Sequence, residues 1–323
     1  MSTPTALVSS WLADFGTAVS RGDFGRATSM FGDESYWRDL VSFTWNLKTA
    51  EGPQQIQAML EATMSNAKPS NFVIQGEGSE ASGVTEGWFT FETATGRGRG
   101  HLRLIDGKAW TLLTTLQELK GFEEKKRDKR PKGIEHGAYR DRKSWLEARQ
   151  HEERTLGFAE QPYVVVIGGG QAGIILGARL KKLGVPAIVV EKNPKPGDSW
   201  RNRYKSLCLH DPVWYDHLPY LPFPDDWPVF SPKDKIGDWL ESYTKLMELN
   251  YWPSTECKRA RWDDAQQHWD VTVQHRGETV TLHPKHLVFA TGMSAVPNLP
   301  SYPGLATFKG TQVHSSQFKT GEA

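Results

Sequence analysis

The sequence predicts an α+β domain followed by an α/β domain that contains a parallel sheet. In the first third of the chain, helical periodicity alternates with strand-like runs and leads to a hairpin signal. Residues 163–167, in contrast, form a continuous apolar strand that enters a glycine-rich turn. The length of 323 residues exceeds the roughly 100–200 residues of one domain, so each of two domains can bury its own core.

Composition and charge exclude several classes of protein. Charged residues make up 24% and hydrophobic residues 38% of the chain, which excludes disorder throughout. A formal net charge of +1 argues against a nucleic-acid partner held by bulk electrostatic attraction. No apolar run approaches the ~18 residues of a membrane span, and the first residues lack the basic and apolar stretches of a secretory signal.

The cysteines and histidines do not predict a metal or dithiol site. Cys208 and Cys257 form no CxxC motif, which excludes zinc fingers and disulfide reductases and makes a reducing, cytoplasmic location the expectation. His283 and His286 are three residues apart, but Pro284 between them disfavours a helix and no acid or cysteine completes a ligand set. We therefore expect no metal centre.

The N-terminal elements follow from apolar spacing and turn residues. Leu7, Trp11, Phe15 and Val19 repeat every four residues and predict a helix. Further along, the patterns predict a short helix at 24–31, a strand at 36–45, a helix opening at 52–53, strands at 72–75 and 87–93, and a hairpin from 101 to 116 that turns at 106–107. The glycines at 96, 98 and 100 lack nucleotide-binding spacing and are expected to form a turn before that hairpin.

This order of elements resembles the cone-shaped fold of SnoaL-like and nuclear-transport-factor-2-like proteins. The resemblance covers about residues 5–120 and includes the Gly22-Asp23 break and the run at 36–39. We expect a cone-like domain at 1–121 that holds a small molecule or mediates homodimerisation. Trp37, Asp39, His101 and Trp110 are candidates for a pocket, although two core tryptophans and a surface or capping acid are the favoured interpretation.

Residues 122–158 differ in composition from the segments on either side. Acidic and basic side chains interleave at 123–130, and Pro131 and Gly133 then interrupt the run. Such interleaving favours a solvated linker or exposed helix over a basic stripe for nucleic acid. The segment 159–323 is the expected second domain.

The apolar strand at 163–167 leads into a GxGxxG motif. Gly168 permits the tight turn, and Gly170 has no side chain to keep a pyrophosphate from the backbone. Gly173 lets the following helix pack close to the strand. The amides and dipole of the helix N-terminus attract the pyrophosphate. A second strand at 187–190 ends at Glu191, about 20 residues on, where an acid accepts hydrogen bonds from a ribose hydroxyl. The pattern predicts a Rossmann-type dinucleotide site.

Three later motifs give the second domain a family resemblance. They are Gly-x-x-Trp at 197–200, Ala-Thr-Gly at 290–292 and FxGxxxHxxxF at 308–318. These three motifs follow the glycine motif in a fixed order. With this order of motifs, residues 160–323 resemble the flavin-containing monooxygenases, including the plant YUCCA-type enzymes. The resemblance implies FAD on the first dinucleotide fold, reduction by NADPH, and oxygen transfer from a C4a-hydroperoxyflavin to a small-molecule substrate.

The resemblance also implies substrate class and residue roles. A phenylalanine followed by lysine at 318–319 favours N- or S-oxygenation of a soft nucleophile, or oxidative decarboxylation of an α-keto acid, over ester formation. The FAD-binding residues implied are Gly168, Gly170, Gln171, Ala172, Gly173, Glu191, Lys192, Ser199, Trp200, Thr291 and Gly292. His210 stands where YUCCA-type relatives have histidine and is the candidate catalytic residue, with a simple loop histidine as an equal alternative. Trp214, Tyr215 and Tyr220 are expected in the core.

A second GxGxxG for NADPH is missing from the sequence, as the glycines at 76–83 and 96–100 have the wrong spacing. We therefore expect an incomplete flavin domain, truncated before the NADPH domain, that binds FAD weakly and does not oxidise NADPH unaided. A non-catalytic FAD- or nucleotide-binding sensor or scaffold is the alternative function.

Overall fold

The computed structural model describes residues 3–133, 137, 140–293 and 297–321. These residues form two compact units, Met1–Glu124 and Lys125–Ala323. The elements of the first unit are α1 (Pro4–Ser20), α2 (Phe24–Ser29), β1 (Phe31–Leu40), β2 (Leu47–Glu51), α3 (Gly52–Ala67), β3 (Ser70–Ala81), β4 (Val84–Glu92), β5 (Gly96–Ile105) and β6 (Lys108–Leu119).

The first unit is a six-stranded sheet packed against helices, in the order β2-β1-β6-β5-β4-β3. β1 and β6 run parallel, and the other neighbours are antiparallel. The buried faces of α1 and α3 share one hydrophobic cluster with the inner face of the sheet. The α+β class expected for this segment is therefore observed, with the hairpin turn at Asp106-Gly107 as predicted.

The glycines at 96, 98 and 100 lie inside β5, so the expected turn at these positions is wrong. They are buried, alternate with exposed or half-buried residues, and face the core. A Cβ on Gly98 would lie 2.1 Å from Cζ of Phe91, and one on Gly100 would lie 2.1 Å from Cζ of Phe89. Because β4 places each ring directly opposite a glycine, the missing side chains leave the space that the rings fill.

The predicted strand at 36–45 begins earlier, at Phe31, and ends at Leu40. The strand ends at Leu40 because of Asp39, which is fully buried. Its carboxylate accepts hydrogen bonds from the backbone N–H groups of Ser42, Phe43 and Thr44, and so holds the chain in a turn after Leu40.

The proposed pocket residues of the first unit do not form one open site. Trp37 is fully buried in the core, and its Nε1 donates to Oγ1 of Thr114, which in turn donates to Asp39. Trp37 is therefore a core residue and Asp39 a capping acid, as favoured, and Asp39 is fully buried. His101 packs instead against Trp88, with ring centroids 4.5 Å apart.

The elements of the second unit are α4 (Trp145–Thr155), β7 (Val164–Ile167), α5 (Gln171–Lys182), β8 (Ala187–Val190), α6 (Asp198–Arg201), α7 (Lys233–Leu246), β9 (Tyr251–Trp252), β10 (Thr255–Asp263), β11 (His268–His275), β12 (Glu278–Leu282) and β13 (His286–Phe289). Four strands form a parallel sheet in the order β13-β7-β8-β9. The strands β10-β11-β12 form a separate antiparallel sheet.

The parallel sheet positions the candidate site. β7 has β8 on one side, joined through α5, and β13 on the other side, which arrives much later in the chain. β7 and β13 are thus neighbours in the sheet although they lie far apart in the chain, and ligands of open α/β sheets bind at the carboxyl ends of such strands. The turn after β7 is the glycine motif.

The helix α4 lies within the segment expected as a linker. Ser144 and Glu147 form a capping box at its start, each satisfying a backbone N–H of the other residue. Glu152 on α4 binds the amino group of Lys181 and the amide of Asn250. These contacts attach α4 to the second unit.

Candidate functional site

The first glycine of the motif is required by the packing of the protein itself. Gly168 has φ +106, and a Cβ there would lie 2.4 Å from the carbonyl oxygen of Ala290. The N–H of Ala290 donates to the carbonyl of Ile167 at 2.7 Å, so the turn after β13 lies against the turn after β7. The structure thus brings Thr291, which follows Ala290, beside the glycine turn.

Gly169 and Gly173 are also enclosed by protein atoms. A Cβ on Gly173 would lie 1.9 Å from the carbonyl oxygen of Gly168, which is the close approach of helix to turn expected for the third glycine. A Cβ on Gly169 would lie 2.2 Å from the hydroxyl oxygen of Tyr251. A side chain at Gly173 would displace backbone, and one at Gly169 would displace the half-buried ring of Tyr251.

Gly170 is different, because the space beside it is open. Its φ is −74, which any residue can adopt, and a Cβ there would approach only Oγ of Ser199, at 3.8 Å. Gly170 is also the N-cap of α5, and no side chain caps that helix. The first-turn amides of a 12-residue helix therefore border an open surface next to a residue without a side chain, which is the geometry of an anion cradle.

Glu191 holds the glycine turn from the end of β8. The carboxylate is 7% exposed. One oxygen accepts the N–H of Gly169 at 2.7 Å, and the other accepts the backbone N–H and side-chain amide of Asn193 at 2.8 and 2.6 Å. An ionised carboxylate offers about four lone-pair directions, so three protein donors leave capacity for one ligand hydroxyl.

Tyr251 fixes the other side of the turn. Its hydroxyl donates to the carbonyl oxygen of Gly169 at 2.9 Å. Burial, with the negative charges of Glu191 and Asp198, raises the pKa of Tyr251, so the phenol stays a neutral donor at physiological pH. Sequence reasoning missed both Tyr251 and Asn193, because a two-residue strand and a loop asparagine carry no motif.

The Gly-x-x-Trp motif reaches the start of α5. Gly197 has φ +87 and a Cβ there would lie 2.1 Å from the carbonyl oxygen of Gly237, so a glycine lets α6 begin against α7. This placement allows Nε1 of Trp200 to donate to Oε1 of Gln171 at 3.1 Å. Ser199 comes beside Gly170 by the same geometry.

The remaining predicted residues are exposed. They are Gln171, Ala172, Lys192, His210, Thr291 and Gly292. Among the described residues, no hydrogen bond or ring contact joins His210 to the glycine turn. Trp214 and Tyr215 are 55% and 76% exposed, so the expectation that they lie in the core is wrong, whereas Tyr220 is half-buried and packs against the core of this unit.

The FxGxxxHxxxF segment is held mainly by local contacts. Nδ1 of His314 lies 2.9 Å from Oγ of Ser316 and accepts its N–H. Just beyond the motif, the N–H of Lys205 donates to the carbonyl of Lys319 at 2.8 Å. Phe308 and Phe318 are exposed.

Known proteins similar to this chain are flavin monooxygenases. Residues 192–323 match the family described as flavin-binding monooxygenase-like. The chain is 35% identical over 162 residues to indole-3-pyruvate monooxygenase YUCCA1 of Oryza sativa subsp. japonica, covering 50% of this chain and 39% of that protein. It is 34% identical over 163 residues to the probable indole-3-pyruvate monooxygenase YUCCA4 of Arabidopsis thaliana, with the same coverage. The chain thus spans about two fifths of the length of these relatives.

Among solved structures, a flavin-containing monooxygenase from Stenotrophomonas maltophilia is similar. It is 25% identical, with a TM-score of 0.46, and the match covers 49% of this chain and 47% of that one.

In the part of the chain that the structure describes, none of the helices combines the length and apolar character needed to cross a bilayer.

Proposed function

We propose that the second unit binds FAD at the glycine turn and is the flavin-binding part of a monooxygenase that uses NADPH and dioxygen. The observation that carries this proposal is the open space at Gly170. The packing of the protein explains the absence of side chains at Gly168, Gly169 and Gly173, whereas the described atoms around Gly170 leave room that an incoming ligand would fill. A dinucleotide pyrophosphate is the group that such a position admits.

The donors around the turn fit the cofactor. The uncapped amides of α5 supply hydrogen bonds and a positive dipole end to the diphosphate. Glu191 supplies the remaining carboxylate capacity to an adenosine ribose hydroxyl, with Lys192 next to it in the chain. Ser199, Trp200 and Thr291 lie near the glycine turn, and with Gly292 they are proposed to hold the flavin end of the cofactor.

FAD, when bound, supplies the redox chemistry that activates dioxygen. The residues of this chain bind and orient the cofactor. Glu191 and Tyr251 hold Gly169 from opposite sides, which keeps the cradle in one conformation before the ligand arrives. His210 is proposed to hold or move a proton near the reacting atoms.

For the substrate we propose a small α-keto acid. The relatives in the comparisons are named as indole-3-pyruvate monooxygenases, which favours oxidative decarboxylation over N- or S-oxygenation. These relatives are enzymes, and nothing in the comparisons favours a non-catalytic flavin sensor.

The N-terminal unit is proposed to be SnoaL-like and to mediate dimerisation. Its exposed Trp45 and Leu47, 61% and 62% accessible, support an apolar contact on that unit.

Free cysteines at 208 and 257 support a cytoplasmic location.

The test is a titration with FAD in which quenching of flavin and tryptophan fluorescence reports binding. Gly170→Val fills the cradle and is expected to weaken binding by about tenfold or more, at an unchanged melting temperature, since its Cβ meets only Ser199 at 3.8 Å. Gly25→Ala, on an exposed face of α2, is the matched control. A wild-type chain that shows no saturable fluorescence change on titration with FAD, or equal affinity in Gly170→Val, would overturn the proposal.

A further inference from the structure

Three side chains of metal-ligating type converge at one end of the sheet β10-β11-β12. His268 and Asp270 lie two positions apart on β11 and therefore on the same face of the sheet. Val271 pairs with Leu282 across to β12, so the next residue, His283, comes opposite Asp270. Strand register thus assembles two imidazoles and a carboxylate from residues up to 15 positions apart in the sequence.

The distances between the ligand atoms suit a tetrahedral cation. Nδ1 of His283 lies 2.9 Å and Nε2 of His268 lies 3.4 Å from Oδ1 of Asp270. All three atoms lie within 4.8 Å of one another. Zinc bonds of about 2.0–2.1 Å at tetrahedral angles place neighbouring ligand atoms about 3.3–3.4 Å apart. Small side-chain rotations are therefore enough to surround an ion.

The backbone that carries the three side chains is held in place. The N–H of Trp269 donates to the carbonyl of Pro284 at 2.8 Å, and this bond joins β11 to the residue after His283. The N–H of His283 donates to Oε1 of Gln161 at 2.9 Å. Because these contacts position the backbone on both sides, little conformational freedom remains to be lost when a cation binds.

The charges around the three side chains have both signs, because Arg261 on β10 lies opposite Asp270. Asp263 lies opposite His268 on β10 and adds a second carboxylate nearby, although its Oδ1 already accepts the N–H groups of Ala265 and Gln266. The amino group of Lys285 is turned to the backbone carbonyls of Gln266 and Gln267.

We propose that His268, Asp270 and His283 bind a first-row transition-metal cation, of which Zn²⁺ is the representative, with water in the remaining coordination position. Two imidazole nitrogens select such cations over Mg²⁺ and Ca²⁺, which prefer oxygen ligands. The side chains are 21–39% exposed, so the ion is accessible from solvent. The expectation of no metal centre rested on the spacing of His283 and His286, but the ring of His286 packs against Tyr163, with ring centroids 5.1 Å apart, and takes no part in this cluster.

The experiment uses the full chain without an affinity tag. Zn²⁺ binding is measured by calorimetry, and Co²⁺ binding by its visible absorption bands, which are intense only for low coordination numbers. We expect one site per chain, and a loss of affinity of about 10–100-fold or more in each of His268→Gln, Asp270→Asn and His283→Gln. His286→Gln, three residues from His283, is the control and is expected to bind as the wild type does.

A second readout does not depend on the binding isotherm. Zn²⁺ is expected to raise the melting temperature of the wild type and of His286→Gln but not of Asp270→Asn, and Mg²⁺ is expected to change none of them. If one variant does not fold, the other two decide the result. Equal Zn²⁺ affinity in the wild type and Asp270→Asn, or no saturable binding by the wild type, would overturn the proposal.

Discussion

At the scale of single residues, the four glycines at 168–170 and 173 have different physical roles. Three of them are needed because protein atoms occupy the space of a side chain, and one borders open space. The glycine motif therefore has two parts. Three of its glycines build the turn, and Gly170 leaves space for a ligand. Substitutions distinguish the two parts.

Gly173→Ala is expected to disrupt the second unit. The new Cβ would lie 1.9 Å from the carbonyl oxygen of Gly168, and backbone at that point cannot move without separating α5 from β7. We expect a loss of about 3 kcal/mol in the free energy of unfolding. Thermal unfolding followed by circular dichroism measures it, with Gly170→Ala as the control, in which stability is retained. A stable Gly173→Ala variant would contradict the packing described here.

Glu191→Gln is expected to weaken both the turn and the cofactor affinity. The amide keeps one acceptor oxygen but turns an NH₂ group toward either Gly169 or Asn193, both of which are donors. A cost of about 1–3 kcal/mol in stability is expected for such a buried group, together with weaker FAD binding. Urea unfolding and FAD titration measure the two effects, and Glu278→Gln on an exposed strand is the control. Unchanged FAD binding would remove Glu191 from the proposed site.

At the scale of secondary-structure elements, contacts between strands and helices decide features that local patterns misread. The glycines of β5 serve the packing of two phenylalanines from the neighbouring strand and not a turn. The helix α4, in a segment rich in charge, is attached by the hydrogen bonds of Glu152. The stability of the first unit therefore depends on the contact between β4 and β5, and the attachment of α4 depends on Glu152.

Gly98→Ala is expected to destabilise the first unit by about 1–3 kcal/mol, because its Cβ would overlap the ring of Phe91. Combining it with Phe91→Leu is expected to recover part of this loss, since the smaller side chain leaves room for the methyl group. A double-mutant cycle of thermal unfolding measures the coupling. Additive effects would show that the two residues do not share this space.

The attachment of α4 is expected to weaken in acid. Burial raises the pKa of Glu152, but hydrogen bonds from Lys181 and Asn250 and the nearby positive charges outweigh it, so the pKa lies below its ordinary value. A carboxyl whose pKa is lower when folded contributes stability above its unfolded pKa of about 4.3, and loses it as pH falls through the folded value. The protection factors of the α4 amides, which correct for the pH dependence of intrinsic exchange, are expected to fall in the wild type between pH 6 and 3 (roughly the range in which the group titrates). Glu152→Gln is expected to lack this dependence, and Glu153→Gln to retain it.

At the scale of the whole molecule, the chain consists of two units with separate cores, which meet in sequence at Glu124 and Lys125. Residues 125–133 are exposed and contain only a single 3₁₀ turn. The connection therefore has little buried structure that would protect it from a protease.

Brief trypsin treatment is expected to cut first among the basic residues of 125–132 and to leave two resistant fragments. Mass spectrometry of the products locates the cut, and a variant with glutamine at the basic positions of this segment is the control. Initial cleavage inside β5 or α5, at Arg99 or Lys181, would contradict the division into two stable units.

The sequence by itself determined the fold classes and predicted where the proposed nucleotide site lies. Apolar periodicity and the glycine spacing are local properties, and they predicted α1, α3, the hairpin turn, and the unit β7-α5-β8 ending at Glu191. Its resemblance to flavin monooxygenases agrees with the comparisons over the C-terminal half.

The tertiary structure decided what depends on neighbours that are distant in the chain. Tyr251 reaches Gly169 because β9 joins the parallel sheet, and Gly98 faces Phe91 because β4 pairs with β5. His283 meets Asp270 because β11 pairs with β12. Register and packing bring these groups together, and spacing along one segment carries no signal of a partner on another.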